Sequence, residues 1–200
     1  MPHHFFLEAA AEALAAPFGL PAASAQPWRE VVPGGVVPAV AGGPRRFVAM
    51  RLGMIPVGRQ TARKRPVLET IVNARAETLF RKPAFAGLAR CLLPVGGWYE
   101  WTGEGRRRRR RWAVRMPGRP VIALAAVWDL WRAPGGTEVA SLATVTCAPN
   151  PEIASVHDRM PVILAPEAWP VWLGEAEGDP AALLVPAPGG TLAVEPAPER

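Results

Sequence analysis

The chain reads as an α+β fold dominated by strands: a mixed or antiparallel twisted sheet, or a barrel-like core, with a few short flanking helices. Three observations predict it. Half of the 200 residues are apolar, enough to bury a core of its own. The 24 Pro and 19 Gly are spread along the chain and cut it into short segments. The segments between them are short apolar runs, with no internal repeat and no linker separating two cores. One domain over residues 1–200 is expected, with a tail that frays from Pro196 to Arg200.

Taken in order, the elements follow from local pattern. Leu7, Ala10, Ala11 and Leu14 share one face of an Ala-rich stretch that Pro17 and Gly19 end, which predicts a short amphipathic helix over 7–16. Pro21 to Pro44 is rich in Pro and Gly and holds a strand fragment at Val36-Val37. Phe47 to Ile55 alternates as a strand does. Gln60 to Pro66 is a basic loop. Glu69 to Ala74 reads as a short strand entering a helix start or turn at Arg75 to Thr78. Cys91 to Val95 is apolar and leads into Gly96-Gly97-Trp98-Tyr99-Glu100-Trp101. Trp112 to Met116, Val121 to Trp131 and Val139 to Val145 are three strands, separated by turns at Pro117-Gly118 and Pro134-Gly135. Thr146 to Pro151 is a turn-rich polar stretch. Val162 to Leu164 is another strand, Ala165 to Leu173 a short helix, and Asp179 to Leu184 a further helical turn. Leu192 to Val194 is placed at a sheet edge.

The formal charge is +6, carried almost wholly by Arg, since Lys occurs only at Lys64 and Lys82. Arg grips phosphate bidentately and stacks on bases, so nucleic acid is the first partner to consider. Abundant Ala, Arg, Gly and Pro also follow from GC-rich coding, so charge alone decides nothing. Arg106 to Arg111 is a run of six arginines before a strand and reads as a hairpin tip, either a phosphate clamp or a solvated loop. Cys91 and Cys147 form no CxxC pair, which argues against a zinc site or a disulfide framework and fits a reducing cytoplasm. No metal or cofactor is expected. Glu8 and Glu12 interrupt an N-terminal stretch that lacks a basic start, so it is not read as a signal peptide. No apolar run is long enough to span a membrane.

Three polar segments adjoin apolar runs and stand to converge on one rim of a sheet: Asn73 to Thr78, Trp98 to Trp101, and His157-Asp158-Arg159. Glu100 between Trp98 and Trp101 is either a desolvated acid/base of raised pKa or an exposed residue on an alternating strand. His157 beside Asp158 is either half of an acid/base pair or a satisfied core group. The chain has three serines and no GxSxG turn, which excludes a serine hydrolase of that type.

Asn73-Ala-Arg-Ala-Glu-Thr78, the CLLPVGGWYEW run from Cys91 to Trp101, and His157-Asp-Arg-Met-Pro161 together resemble, in order and spacing, the SOS-response-associated peptidase family, the abasic-site-processing proteins. Arg51-Leu-Gly-Met-Ile-Pro56 and Val127-Trp128-Asp129 are similar to further segments of that family, so the likeness spans nearly the whole chain. The resemblance implies binding of single-stranded DNA, or of a single-strand/duplex junction, at an abasic site. It implies capture of the ring-opened sugar aldehyde by a Cys that follows the initiator Met, through a thiazolidine, and removal of that Met. It assigns Asn73 to orienting the sugar or the N-terminus, Glu100 to acid/base work at the amine, and His157 to ring opening. It assigns Arg75 and Arg159 to the flanking phosphates. The expected DNA-binding set is Arg51, Arg75, Arg81, Trp98, Trp101 and Arg159. A monomer in the cytoplasm, at the nucleoid when on DNA, is expected.

Four departures from the family pattern bear on this. Pro2 stands at the Cys position, His4 replaces an Arg that grips DNA, Leu52 replaces a Trp, and Glu30 stands where Asn is usual and would repel phosphate. Neither Cys91 nor Cys147 adjoins an α-amine, so no thiazolidine can close. Three readings stay open: covalent capture by a Pro2 amine once Met1 is removed, non-covalent binding alone, and a repurposed relative without DNA activity. A start codon placed elsewhere is a fourth, disfavoured because Phe5 and the helix after it fall in the family's register.

Overall fold

The computed structural model describes residues 2–55, 70–82, 85–103, 110–133 and 135–198. The basic loop expected over 60–66, the tip of the arginine run and Pro134 lie outside them.

Strands dominate, as the composition predicts. Five of them close a barrel: β3 (Val36–Ala41), β4 (Arg46–Leu52), β6 (Ala89–Val95), β9 (Ile122–Arg132) and β10 (Glu138–Cys147). β4 pairs β3, β3 pairs β6, β6 pairs β9 and β9 pairs β10, all antiparallel, and β10 returns to β4 in parallel through Ser141↔Arg51 and Leu142↔Leu52. Closure removes the exposed edges that a sheet of this size would otherwise carry. β9 and β10 are the longest strands, and Ile122 to Val127 is buried without interruption. An unbroken apolar run of this kind belongs to a strand covered on both faces.

Short strands extend the barrel. β5 (Asn73–Arg75) joins β10 in parallel, β11 (Met160–Pro161) joins β10 from the other edge, and β12 (Ile163–Leu164) joins β9. A second sheet of five strands runs β13-β8-β7-β1-β2: β1 is Phe5–Phe6, β2 Glu30–Val31, β7 Gly97–Thr102, β8 Arg110–Arg115 and β13 Ala193–Pro196. Gly96 alone separates β6 from β7, so the chain passes from barrel to second sheet in one step. Gly97 makes the passage possible: a Cβ there would lie 2.1 Å from the Val114 carbonyl and 2.5 Å from the Phe6 ring.

Helices are few and short: α1 (Ala11–Ala15), α2 (Pro151–Ala154) and α3 (Trp169–Leu173), with single 3-10 turns at 16–18, 22–24, 76–78 and 166–168. Several expectations are corrected. The first helix begins at Ala11 rather than Leu7, because the Leu7 N–H donates to the Arg29 carbonyl at 2.9 Å and prolongs the β1–β2 pairing. Asp179 to Leu184 forms turns without a helix; the Asp179 carboxylate accepts the Ala181 N–H at 2.9 Å and holds the chain in a local turn. The stretch expected to be turn-rich, Thr146 to Pro151, begins as the end of β10 and leads into α2, capped by Asn150, whose side-chain oxygen accepts the Ile153 N–H at 3.1 Å. Within the tail expected to fray over 196–200, Pro196 pairs with Trp112 and the Ala197 N–H donates to the Arg111 carbonyl at 2.9 Å, while 199–200 lie outside the described residues. Among the described residues no helix is long and apolar enough to cross a membrane.

Candidate functional site

Side chains alternate along β7, and the alternation sorts its residues. Trp98 and Glu100 face inward, where Trp98 packs with Phe5 and Val114 in the main core; Tyr99 packs on the outer face with Phe6 and Ala113. Trp101, half-buried, adjoins that outer cluster. Glu100 is therefore carried into the interior by strand geometry, at 2% exposure. Its Oε1 has no hydrogen-bond partner among the described residues. Burial pushes the carboxyl up to about 7, with the positive amino terminus pulling it down and Asp158 pushing it further up. A buried acid poised near neutrality is suited to taking and returning a proton.

The amino terminus is brought there by sheet pairing. Phe5 lies opposite Trp98, and the Tyr99 N–H donates to the His4 carbonyl at 2.9 Å. Antiparallel pairing then runs the chain back alongside Glu100 and Trp101, where Pro2 is buried.

The rest of the site is built on β10. The Thr144 hydroxyl donates to the Asn73 side-chain oxygen at 2.7 Å, which leaves the Asn73 amide hydrogens to be presented elsewhere. Thr146 sits opposite Arg75 on one edge and Pro161 on the other. Across it, the Arg159 guanidinium donates to the Glu77 carboxylate at 2.6 and 3.0 Å and to the Thr146 carbonyl. This brace joins the turn after β5 to the loop after α2. Glu77 is held below the usual carboxylate range mainly by the hydrogen bond from Arg159.

His157 lies three residues past the end of α2, its N–H donating to the Ile153 carbonyl at 2.8 Å, and its ring has two alternative partners at Nδ1. The Arg159 backbone N–H lies 2.9 Å away and the Asp158 carboxylate 3.0 Å away. A donor and an acceptor cannot both be satisfied at one ring nitrogen. The neutral ring accepts from Arg159 and carries its hydrogen on Nε2; the protonated ring donates to Asp158. Burial lowers the His157 pKa, helped by the positive amino terminus. Neutral imidazole with Nε2–H is thus the resting form at neutral pH.

The remaining expected residues fall into different places. Arg75 and Arg81 are exposed; Arg81 donates to the Glu77 carbonyl, with Nε at 3.1 Å, while Arg51 donates to the Gly53 carbonyl at 2.6 Å. Trp98, expected to contact DNA, is wholly buried and has no face to offer a base. Trp101 keeps partial exposure and stacks on His3 and His4 at ring-centroid distances of 5.9 and 5.5 Å. Glu30, expected to repel phosphate, instead accepts from His4 Nε2 at 2.8 Å and Arg111 at 3.3 Å. Arg111 belongs to neither the clamp nor the solvated loop expected of the arginine run: it is buried, 3.5 Å above the Tyr99 ring. Glu77, Thr144, Thr146 and Arg111 were given no site role by the sequence, although Glu77 lies in the Asn73 to Thr78 segment and Arg111 in the arginine run. Cys91 and Cys147 are buried with raised pKa values, about 11 for Cys147.

The sequence model of the SOS response associated peptidase family matches residues 1–200. The chain is 31% identical over 142 residues to the abasic site processing protein YoqW of Bacillus subtilis, covering 70% of this chain and 62% of that protein. It is 30% identical over 106 residues to the abasic site processing protein YedK of Escherichia coli, covering 52% of this chain and 47% of that protein. The matched part thus spans less than two thirds of either relative. Among solved structures, a protein from Bacteroides thetaiotaomicron superposes with a TM-score of 0.82 at 23% identity, over 97% of this chain and 91% of its own. One from Bordetella bronchiseptica gives 0.80 at 22% identity, over 98% and 100%. These likenesses are of fold.

Proposed function

The chain belongs to the SOS response associated peptidase family, and from that premise we propose that it processes abasic sites in single-stranded DNA or at single-strand/duplex junctions. The observation that carries the reading is Glu100: buried, with one oxygen unpartnered among the described residues, and raised to about 7 beside the strand that leads to Pro2.

The chemistry follows from the residues available. With Met1 removed, Pro2 carries a secondary amine. Glu100 takes the proton that the amine sheds. His157 donates a hydrogen bond from Nε2–H to the sugar ring oxygen as the ring opens; the C1′ hydroxyl gives its proton to water while water protonates the ring oxygen, leaving a hydroxyl and a free aldehyde. The amine adds to the aldehyde carbon, its remaining N–H proton passes to the new oxygen, Glu100 returns the proton it took, and loss of water leaves an iminium cation. No thiol is at hand to close a ring on that carbon, since both cysteines are buried. A base such as Glu100 can instead remove a proton next to the iminium carbon, and the electron pair expels the 3′ phosphate, cutting the strand. Asn73, oriented by Thr144, holds the sugar through its amide hydrogens. Arg51, Arg75 and Arg81 contact flanking phosphates, and Trp101 offers a stacking face. The single domain over 1–200 acts as a monomer, without metal or cofactor.

Intact-mass measurement of the N-terminus, followed by borohydride trapping on a single-stranded abasic oligonucleotide, tests this. Expected is a covalent adduct with the Met-processed protein that Glu100→Gln forms much more slowly. A processed protein that binds the oligonucleotide without any trapped adduct leaves the second reading, non-covalent shielding. The burial of both thiols favours that reading over any thiol-dependent capture.

A further inference from the structure

We propose that His4, Glu30 and Arg111 form a clamp that holds the N-terminal strand in the register that delivers Pro2 to Glu100. The departures at positions 4 and 30 are then one matched pair with a positioning task, and the last arginine of the run at 106–111 is its third member. The activity consequence rests on the function proposed above; the clamp itself rests on contacts.

The geometry joins three strands of the second sheet. Glu30 lies on β2, His4 immediately precedes β1, and Arg111 lies on β8, so the contacts cross the outer face of β1 and β7. The Glu30 carboxylate takes His4 Nε2 at 2.8 Å and Arg111 at 3.3 Å. The three side chains are 14%, 19% and 7% exposed for His4, Glu30 and Arg111. Two aromatic rings wall them in. Arg111 lies 3.5 Å over Tyr99, and His4 meets Tyr99 edge-on at 5.0 Å and stacks on Trp101 at 5.5 Å. Desolvated partners of this kind are held tightly, because removing one strands the charge of another.

Tyr99 and Trp101 flank Glu100 in sequence and point the opposite way, so the clamp sits on one face of β7 and the acid on the other. The link between them is backbone: the Tyr99 N–H to the His4 carbonyl at 2.9 Å. A chain end anchored by only a two-residue strand otherwise frays readily. His4 faces Glu30, Arg111, His3 and Tyr99, and burial lowers its pKa despite Glu30. It therefore stays neutral at pH 7 and donates Nε2–H to Glu30. This engagement turns position 4 away from DNA, so a positioning role replaces the phosphate contact that the family resemblance assigns there.

The test compares the full-length protein with His4→Ala, Glu30→Ala and His4→Gln. Two probes are used: a single-stranded oligonucleotide with an abasic site, and the same strand with a tetrahydrofuran analogue that has no aldehyde. Expected for His4→Ala and Glu30→Ala is a borohydride-trapping rate at saturating DNA that falls about 10- to 100-fold, as misplacement of reacting groups by an ångström does. Affinity for the tetrahydrofuran strand stays within about twofold, since no phosphate contact is lost. Amide exchange of Phe5 and Phe6 quickens in both. His4→Gln, whose amide can donate to Glu30, recovers most of the rate. Weaker binding of the analogue with an unchanged saturating rate would make His4 a DNA contact and overturn the clamp. So would unchanged exchange in both alanine variants. If the wild-type protein traps nothing, the proposed chemistry fails, and the β1 exchange rates alone decide the clamp.

Discussion

Glu100 concentrates the energetic tension of the site in one residue. Its folded pKa lies above that of an unfolded glutamate, so the folded state holds the extra proton. Stability is then full at pH below about 4.5, the unfolded value, and falls as pH rises through about 7. Glu100→Gln removes that penalty. Thermal unfolding at pH 8 should show the variant stabilised by roughly 1–3 kcal/mol, with the two proteins alike at pH 4. The same variant should flatten the rise in trapping rate near pH 7, because the group that loses a proton there is gone. Loss of rate with gain of stability marks a side chain kept for chemistry. Arg159 is tested differently. Its guanidinium is committed to Glu77 and Thr146, and its backbone N–H sets the His157 tautomer. Arg159→Ala should lower the melting temperature and slow ring opening while leaving the salt dependence of DNA binding unchanged. A salt slope reduced by about 0.7 would instead make Arg159 a phosphate contact.

At the scale of elements, two junctions do most of the positioning. The first is the β6–β7 passage. Gly97→Ala places a methyl group against the Val114 carbonyl and the Phe6 ring, and neither the β8 backbone nor the β1 side chain can retreat far. The variant is expected to unfold at lower denaturant and to lose protection of β1 amides first, as measured by hydrogen exchange. The second is the cap of α2. The Asn150 side chain caps Ile153 and also donates to Glu152 at 2.6 Å, anchoring the four-residue helix whose end leads into His157. Asn150→Ala should cost about 1–2 kcal/mol in chemical denaturation. Alternation and apolar runs bounded by turns made β4, β8, β9 and β10 legible in the sequence. The two-residue strands β1 and β11 were not, because so short a segment has no period and its pairing is set by neighbours distant in the chain.

Over the whole molecule, net charge is a poor guide to where DNA lies. Arg45, Arg115 and Arg132 are paired with Glu175, Glu8 and Glu138, and Arg111 and Arg159 are engaged inside the protein. Of the arginines expected at DNA, Arg51, Arg75 and Arg81 are engaged with no carboxylate among the described residues and are the ones proposed for phosphates. Three contacts to a single strand predict a log–log slope of affinity against salt of about −2, at about 0.7 per phosphate, and Arg75→Ala should reduce it by about 0.7. A much steeper slope would bring in further cations, and titrations over a range of salt concentrations distinguish the two.

The sequence alone determined the strand-rich class and the family likeness and singled out Asn73, Glu100 and His157 as candidates, because alternation and motif spacing are local properties. It also showed that Pro2, His4 and Glu30 depart from the family pattern. Tertiary structure decided what those departures mean. Burial of Trp98, the Glu77–Arg159 brace and the His4–Glu30–Arg111 cluster all join residues far apart in the chain, and no local pattern encodes such partners. Glu30 in isolation is a charge that repels phosphate. Within the folded sheet its charge is answered by His4 and Arg111, because strand pairing brings β2, β1 and β8 across one face.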